Sequence, residues 1–229
     1  MGFQGVGEIT IAAGQIEIGW YNHVYFLIVG DMANLITLIR LAIVFVVGAI
    51  ALYAKAEWQL LNAPLIIISI LLDGLDGIIA RARHETSVFG AVFDITADRI
   101  TEAVLWMILV QVGVVSVWVA IIIIVRGILV DSLRKPHTDQ GSLPFSIMQT
   151  AIGKFLVASR TMRFASGFFK LATFSWLFFL LPASSIWSQI FMDHYVLVNC
   201  ISWILIYTTV TICLARGIPV VLESVLCKN

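Results

Sequence analysis

Four aspartates lie close together in a sequence that is otherwise mostly apolar: Asp73 and Asp76, followed by Asp94 and Asp98. The first pair is spaced i,i+3 and the second i,i+4, so on helices each pair lies on one face. An ionised carboxylate at membrane depth costs roughly 3 kcal/mol or more, and such groups therefore usually face a cavity and act there. The spacing predicts two helices that turn their acidic faces towards a shared space.

Carboxylates gathered around one small space repel each other unless cations neutralise them. A site made only of oxygen ligands suits hard divalent cations, here Mg²⁺ or Mn²⁺. Two such ions about 3.5–4 Å apart can clamp a displacement at phosphorus. The acidic cluster therefore predicts a centre of two divalent metals and a reaction at a phosphoryl group.

The full pattern reads D-x-x-D-G-x-x-A-R over residues 73–81, then eight residues, then G-x-x-x-D-x-x-x-D over residues 90–98. It resembles the signature of the CDP-alcohol phosphatidyltransferase family at every fixed position. The resemblance implies an integral-membrane enzyme with six transmembrane helices, which moves a phosphatidyl group from CDP-diacylglycerol to an alcohol and releases CMP. It also implies that all four aspartates lie at the metals, and that Asp98 is the catalytic base that takes the proton of the acceptor hydroxyl.

Small and polar residues accompany the aspartates and form the expected CDP-binding set. Gly74, Gly77 and Gly90 leave room for a nucleotide to approach the helix backbone. Arg81 suits a contact with phosphate, and Ser87 lies where the family often has Thr or Ser near the nucleotide. A stripe of small residues is also common where membrane helices simply pack together, so the glycines alone do not indicate a ligand.

A second charged group is basic and follows later in the chain. Arg126 lies inside the apolar run 121–127, and Lys170 is similarly deep in a later run. Such depths are not explained by side chains that reach back to a membrane surface. A basic pocket beside an acidic metal site favours a phosphate-bearing acceptor over a neutral alcohol. The expected acceptor-binding residues are Arg126, Arg134, Lys154 and Arg160.

Three short segments resemble the bacterial phosphatidylglycerophosphate synthases of this family: residues 34–40, 126–134 and 153–154. One position departs from that pattern, because Gly127 stands where those proteins have Glu. The resemblance implies glycerol 3-phosphate as acceptor, with inositol phosphate, serine or another alcohol left open. An ion or proton transporter that uses the carboxylates is an alternative of a different class.

The composition is that of a polytopic membrane protein. Of 229 residues, 60% are hydrophobic and 12% are charged, and the mean hydropathy is +1.00. The formal net charge is zero, which gives no indication of nucleic-acid binding. The three cysteines lack metal-binding spacing, and we interpret them as reduced and structural.

The elements that must position these residues are helices, and the predicted fold is an all-α bundle with six spans of at least ~18 residues. We expect residues 32–229 to form this domain. Residues 1–31 are expected to be an N-terminal extension or interfacial segment, or to precede a native start at Met32. The predicted spans are 34–54, 61–83, 88–112, 114–134, 156–182 and 196–215.

The distribution of Lys and Arg orients this bundle. Most basic residues fall at the inner ends if the N-terminus is cytoplasmic, and the outer loops keep only Lys55. The aspartates lie near the inner ends of the second and third spans, so the active site is expected to face the cytoplasm. The expected partners are CDP-diacylglycerol, a small alcohol or phospho-alcohol, and membrane lipid; a homodimer is implied only by the family resemblance.

Overall fold

A computed structural model describes residues 32–83, 88–139 and 153–226, without the side chains of 75–83, 134–139, Lys154 and a few others. Within these ranges the regular structure is helical. A π-helical turn covers Lys154–Ala158. The α-helices are α1 (Met32–Tyr53), α2 (Ala56–Gln59), α3 (Asn62–Arg83), α4 (Val88–Gln111), α5 (Val117–Asp139), α6 (Arg160–Ile186), α7 (Ser188–Asp193) and α8 (Tyr195–Leu226).

Six of the helices in the described ranges have 22 residues or more, and each overlaps one predicted span. Four segments are long and apolar enough to cross a membrane: Asn34–Tyr53, Ala56–Gly74, Arg160–Ile186 and Tyr195–Ser224. Helix α4 does not meet that test because charged residues interrupt its apolar run. The side chains of α5 are described only over 117–133, which is too short a stretch for the test. The all-α class and the membrane location are therefore confirmed, whereas the count of six spans is not.

The helices pack around an apolar core in which α1 has a central place. Helix α1 lies against both α3 and α4, α3 lies against α6, and α8 packs on α5 and α6. The rings of Trp106 and Phe174, both buried, have centroids 5.0 Å apart. Gly48 lets α1 approach α4, since a Cβ at this position would lie 3.1 Å from Cδ1 of Ile108. Helix α1 thus joins the two helices that carry the aspartate motif.

Gly113 separates α4 from α5, as the sequence predicts. Its φ of +78° lies in the left-handed region, which a residue with a Cβ rarely adopts. The Gly113 amide donates to the carbonyl of Val110 at 3.0 Å, and the Val114 amide donates to that of Leu109 at 3.0 Å. These two bonds form a Schellman motif, which satisfies the last carbonyls of α4 and ends the helix.

Polar contacts tie α6 to α8 within the apolar bundle. The hydroxyls of Thr173 and Thr209 lie 2.8 Å apart, and the indole of Trp176 donates to the hydroxyl of Ser202 at 3.0 Å. Hydrogen bonds of this kind fix the relative register of packed membrane helices. They matter for function because both helices carry basic residues towards the aspartate motif.

Candidate active site

Three of the four predicted aspartates converge at one end of the bundle. Asp73 projects from α3, and Asp94 and Asp98 project from α4, with one carboxylate oxygen of each within 4.8 Å of the others. Their side chains are 40%, 47% and 50% exposed, so the cluster opens outward. Asp76 lies one turn beyond Asp73, but its side chain is outside the described residues.

Arg40 of α1 lies in the middle of this cluster, and its side chain is only 2% exposed. Its guanidinium forms ion pairs with Asp73, with Asp98 at 3.1 Å and with Asp94 at 3.3 Å. Each carboxylate therefore has an oxygen within reach of the same planar cation. The position explains why α1 packs between the motif helices, because Arg40 binds acids from both of them.

The sequence reasoning quoted Arg40 as part of the 34–40 segment and gave it no role. A signal for its role was present, because Asn34, Thr37 and Arg40 are spaced by three residues in an otherwise apolar segment. All three are buried in the structure, on the face of α1 that continues into the apolar core. A polar stripe on the buried face of a membrane helix indicates a polar site next to it.

The residues of the cluster fit a divalent cation. The ligand set is made of carboxylate oxygens, which hard cations prefer. The cluster also accepts positive charge, since the Arg40 guanidinium lies against the same oxygens. Asp73, Asp94 and Asp98 are the described residues that would hold the ion.

A cavity of about 260 Å³ lies beside the carboxylates. Its lining includes the acids Asp73, Asp98 and Glu102 and the bases Arg40 and Arg99. It also includes Arg163, Lys170 and Arg216 from α6 and α8, which we call its basic side. Because acids that can bind a cation and bases that can bind an anion line the same cavity, it suits a molecule with several phosphates, or two molecules that meet at a phosphate.

The two predicted acceptor residues with described side chains do not line this cavity. Arg126 and Arg160 are not among the described residues that line it. Arg126 lies over Gly217, where a Cβ would be 2.5 Å from its Nε, and Arg160 is exposed at the start of α6. The side chains of Arg134 and Lys154 lie outside the described residues, so their roles stay predictions.

The basic side comes from residues that were not among the predicted acceptor-binding set. Arg163, Ser166 and Lys170 follow one another at three and four residues on α6, so they share a helix face. That spacing was available from the sequence. The approach of Arg216 to the cavity depends on how α8 packs, which its position in the sequence does not predict.

The predicted CDP-binding glycines differ in what surrounds them. Gly74 is exposed, and a Cβ there would meet no described atom within 4 Å, so the α3 backbone is open at this point. Gly90 is partly buried near the start of α4. The side chain of Arg81, the surroundings of Gly77 and all of Ser87 fall outside the described part of the chain, and their roles stay predictions.

Behind the cavity, a chain of ion pairs joins α4, α5 and α6. Arg99 Nε lies 2.5 Å from Asp131 Oδ2, and Arg99 Nη1 lies 2.9 Å from Glu102 Oε2. Lys170 Nζ lies 2.6 Å from the other oxygen of Glu102. These contacts make Arg99 and Glu102 counter-ions of neighbouring helices. Gly127 leaves room for the guanidinium, since a Cβ there would lie 3.3 Å from Arg99 Nη1.

Comparison with known proteins gives one family. Residues 31–215 match the family model described as CDP-alcohol phosphatidyltransferase. The chain is similar to bacterial proteins named CDP-diacylglycerol–glycerol-3-phosphate 3-phosphatidyltransferase. The protein of Wigglesworthia glossinidia brevipalpis is 33% identical over 116 residues, which are 48% of this chain and 62% of that protein.

Two further relatives carry the same name. The protein of Pectobacterium atrosepticum is 31% identical over 137 residues, 58% of this chain and 73% of its own length. That of Bacillus subtilis is 32% identical over 117 residues, 45% of this chain and 60% of its own length. The chain thus spans about three fifths of the length of two of these three relatives.

Proposed function

Because this chain belongs to the CDP-alcohol phosphatidyltransferase family, we propose that it transfers a phosphatidyl group from CDP-diacylglycerol to glycerol 3-phosphate and releases CMP. The observation that carries the proposal is the convergence of Asp73, Asp94 and Asp98 beside a cavity that Arg163, Lys170 and Arg216 also line. The names of the relatives support the same two substrates. Family membership also favours a transferase over the transporter alternative.

The reaction is a displacement at the β-phosphorus of CDP-diacylglycerol. A bond forms between the acceptor hydroxyl oxygen and this phosphorus, and the bond to the oxygen of the departing CMP breaks. Divalent cations held by the aspartates supply charge neutralisation for the diphosphate and for CMP as it leaves. Asp98 takes the proton of the acceptor hydroxyl, because it lines the cavity as well as belonging to the cluster.

The phosphate of the acceptor binds to the basic side of the cavity in this proposal. Arg163 and Arg216 supply planar guanidinium groups, which match phosphate oxygens in pairs. Lys170 adds a point charge, and its ion pair with Glu102 holds the ammonium at the cavity wall. We therefore assign the acceptor subsite to these three cations rather than to Arg126 and Arg160.

The active site is proposed to face the cytoplasm. The support is the excess of Lys and Arg at the end of the bundle that carries the aspartates. A cysteine introduced at the exposed Gly74 should react with a membrane-impermeant maleimide in inside-out vesicles and not in right-side-out ones. The opposite pattern would reverse the orientation and leave the chemistry untouched.

A direct test supplies purified protein with CDP-diacylglycerol, Mg²⁺ or Mn²⁺, and one acceptor at a time, and measures CMP release. Glycerol 3-phosphate should give the highest kcat/KM in a panel that includes inositol phosphate, serine and glycerol. Activity should stop in EDTA and return with either metal, and Asp98→Asn is the matched inactive control. If another acceptor gives the highest value, the assignment of glycerol 3-phosphate is wrong; if no acceptor releases CMP, the transferase proposal fails.

A further inference from the structure

Arg40 contacts the same three carboxylates that we assign to the metal. The pairs to Asp98 and Asp94 measure 3.1 and 3.3 Å, and Asp73 is the third partner. The guanidinium is buried while the acids are about half exposed. The cation therefore approaches the cluster from the protein side, and the outer side of each carboxylate faces the cavity or solvent.

Burial makes these contacts necessary for Arg40. On α1 the next buried residues after Arg40 along its face are Val44 and Val47, so its surroundings are apolar in that direction. A buried guanidinium is tolerated only with partners that neutralise it and accept its hydrogen bonds. The acids also gain, since three carboxylates within 4.8 Å repel each other strongly without a cation.

We propose that Arg40 is a built-in counter-cation of the aspartate cluster, and that a divalent cation must displace it from at least one carboxylate in order to bind. The inference rests on the proposed metal site, because it concerns the affinity of that site. Two positive charges cannot share the same few carboxylate oxygens without repulsion. Arg40 therefore lowers metal affinity while it stabilises the cluster before the metal binds.

If Arg40 only positions the acids, its removal should change the metal affinity in the opposite direction. In that case its removal disorders the carboxylates, and the metal binds more weakly. Metal affinity therefore separates a competing cation from a merely structural one. An activity assay does not separate the two, since either role lowers turnover.

The experiment measures Mn²⁺ binding by the loss of its free electron-paramagnetic-resonance signal, with protein in phosphatidylcholine nanodiscs and without nucleotide. Arg40→Lys keeps the charge but replaces the planar fork with a single ammonium, which cannot bridge three acids. We expect Arg40→Lys to bind Mn²⁺ roughly tenfold more tightly than the wild type, and Arg40→Ala more tightly still. Arg126→Lys is the matched control and should leave the affinity unchanged.

Thermal unfolding provides the second measurement. Arg40→Ala should melt at a lower temperature than the wild type without Mn²⁺, and Mn²⁺ should raise its Tm by more than it raises that of the wild type. Equal or weaker Mn²⁺ binding by Arg40→Lys would overturn the inference and leave the metal site intact. If neither the wild type nor either Arg40 variant binds Mn²⁺, the metal site itself is wrong, and the inference falls with it.

Discussion

Two groups of charges lie side by side in this bundle, and they differ in balance and exposure. In the aspartate cluster three carboxylates share one guanidinium, that of Arg40. In the network behind the cavity, the two acids Glu102 and Asp131 are matched by the two bases Arg99 and Lys170. Among these described ion pairs, the first group has three acids to one base beside a cavity, whereas the second has two acids to two bases.

The difference indicates what each group does. Carboxylates that are about half exposed keep the capacity to bind further cations, which is what a metal site needs. A balanced network has its charges satisfied by neighbouring helices, so its main effect is to fix α4 against α5 and α6. Lys170 connects the network to the cavity, because it pairs with Glu102 and also lines the cavity. The network thus sets the position of one wall of the proposed acceptor subsite.

The largest expected effect comes from the cluster. Asp98→Asn keeps the size of the side chain and removes the base, so kcat should fall by about 10²–10⁴-fold. Binding of CDP-diacylglycerol, measured by calorimetry with purified protein, should change much less. Wild-type turnover in the purified variant would show that the proton goes to another group.

The next effect concerns the basic side of the cavity. Arg163→Ala removes one charge-assisted contact to the acceptor phosphate, which is worth about 1.5–3 kcal/mol, or roughly 10–150-fold. The KM for glycerol 3-phosphate should rise by this factor, while the KM for CDP-diacylglycerol stays within about twofold. Arg160→Ala, three residues earlier on α6 and outside the cavity lining, is the matched control. Equal rises in both KM values would place Arg163 at the lipid substrate instead.

Breaking the balanced network should lower the thermal stability of the protein more than its turnover number. Asp131→Asn removes the main partner of Arg99, and because both side chains are partly exposed we expect a cost of only about 1–2 kcal/mol. The Tm should therefore fall by a few degrees, while kcat changes less than in Asp98→Asn. The double variant Arg99→Met/Asp131→Leu replaces the pair with apolar side chains and should recover most of the Tm. A double variant that stays as unstable as Asp131→Asn would mean that Arg99 is needed for more than this pair.

The sequence predicted the aspartate cluster better than the basic side of the cavity, for a physical reason. The aspartates occur at helical spacing on two helices joined by a short connection, so local geometry nearly determines their convergence. The basic residues come from α6 and α8, and their meeting depends on how distant helices pack. Arg126 was predicted to bind the acceptor because it lies deep in an apolar run. In the structure it lies against Gly217 rather than in the cavity lining.

The helices themselves were predictable, and their number of crossings was not. Apolar runs and the break at Gly113 indicated each long helix to within a few residues at most ends. The last helix continues to Leu226, well beyond the predicted end at 215, because its apolar pattern resumes after Arg216. In α4, functional and structural charges lower the hydropathy, so composition alone does not identify this helix as a span.

The smallest expected effects come from two glycines that each face an arginine. At Gly127 a Cβ would lie 3.3 Å from Arg99 Nη1, the movable end of the side chain. At Gly217 it would lie 2.5 Å from Arg126 Nε and 2.8 Å from its Cγ, which are nearer the helix and harder to displace. Both substitutions to Ala gain about 1 kcal/mol of helix propensity. The contact with the arginine therefore decides whether each substitution stabilises or destabilises the protein.

Gly127→Ala should therefore leave the Tm unchanged or raise it slightly, since Arg99 can move by a few tenths of an ångström and keep Asp131. Gly217→Ala should lower the Tm, because overpacking costs about 1–3 kcal/mol and exceeds the gain in propensity. Thermal melts of the two purified variants, measured side by side, compare their Tm values directly. If Gly127→Ala proves the more destabilising, the balanced network is less tolerant of displacement than its exposure suggests, and Arg99 is held more tightly than Arg126.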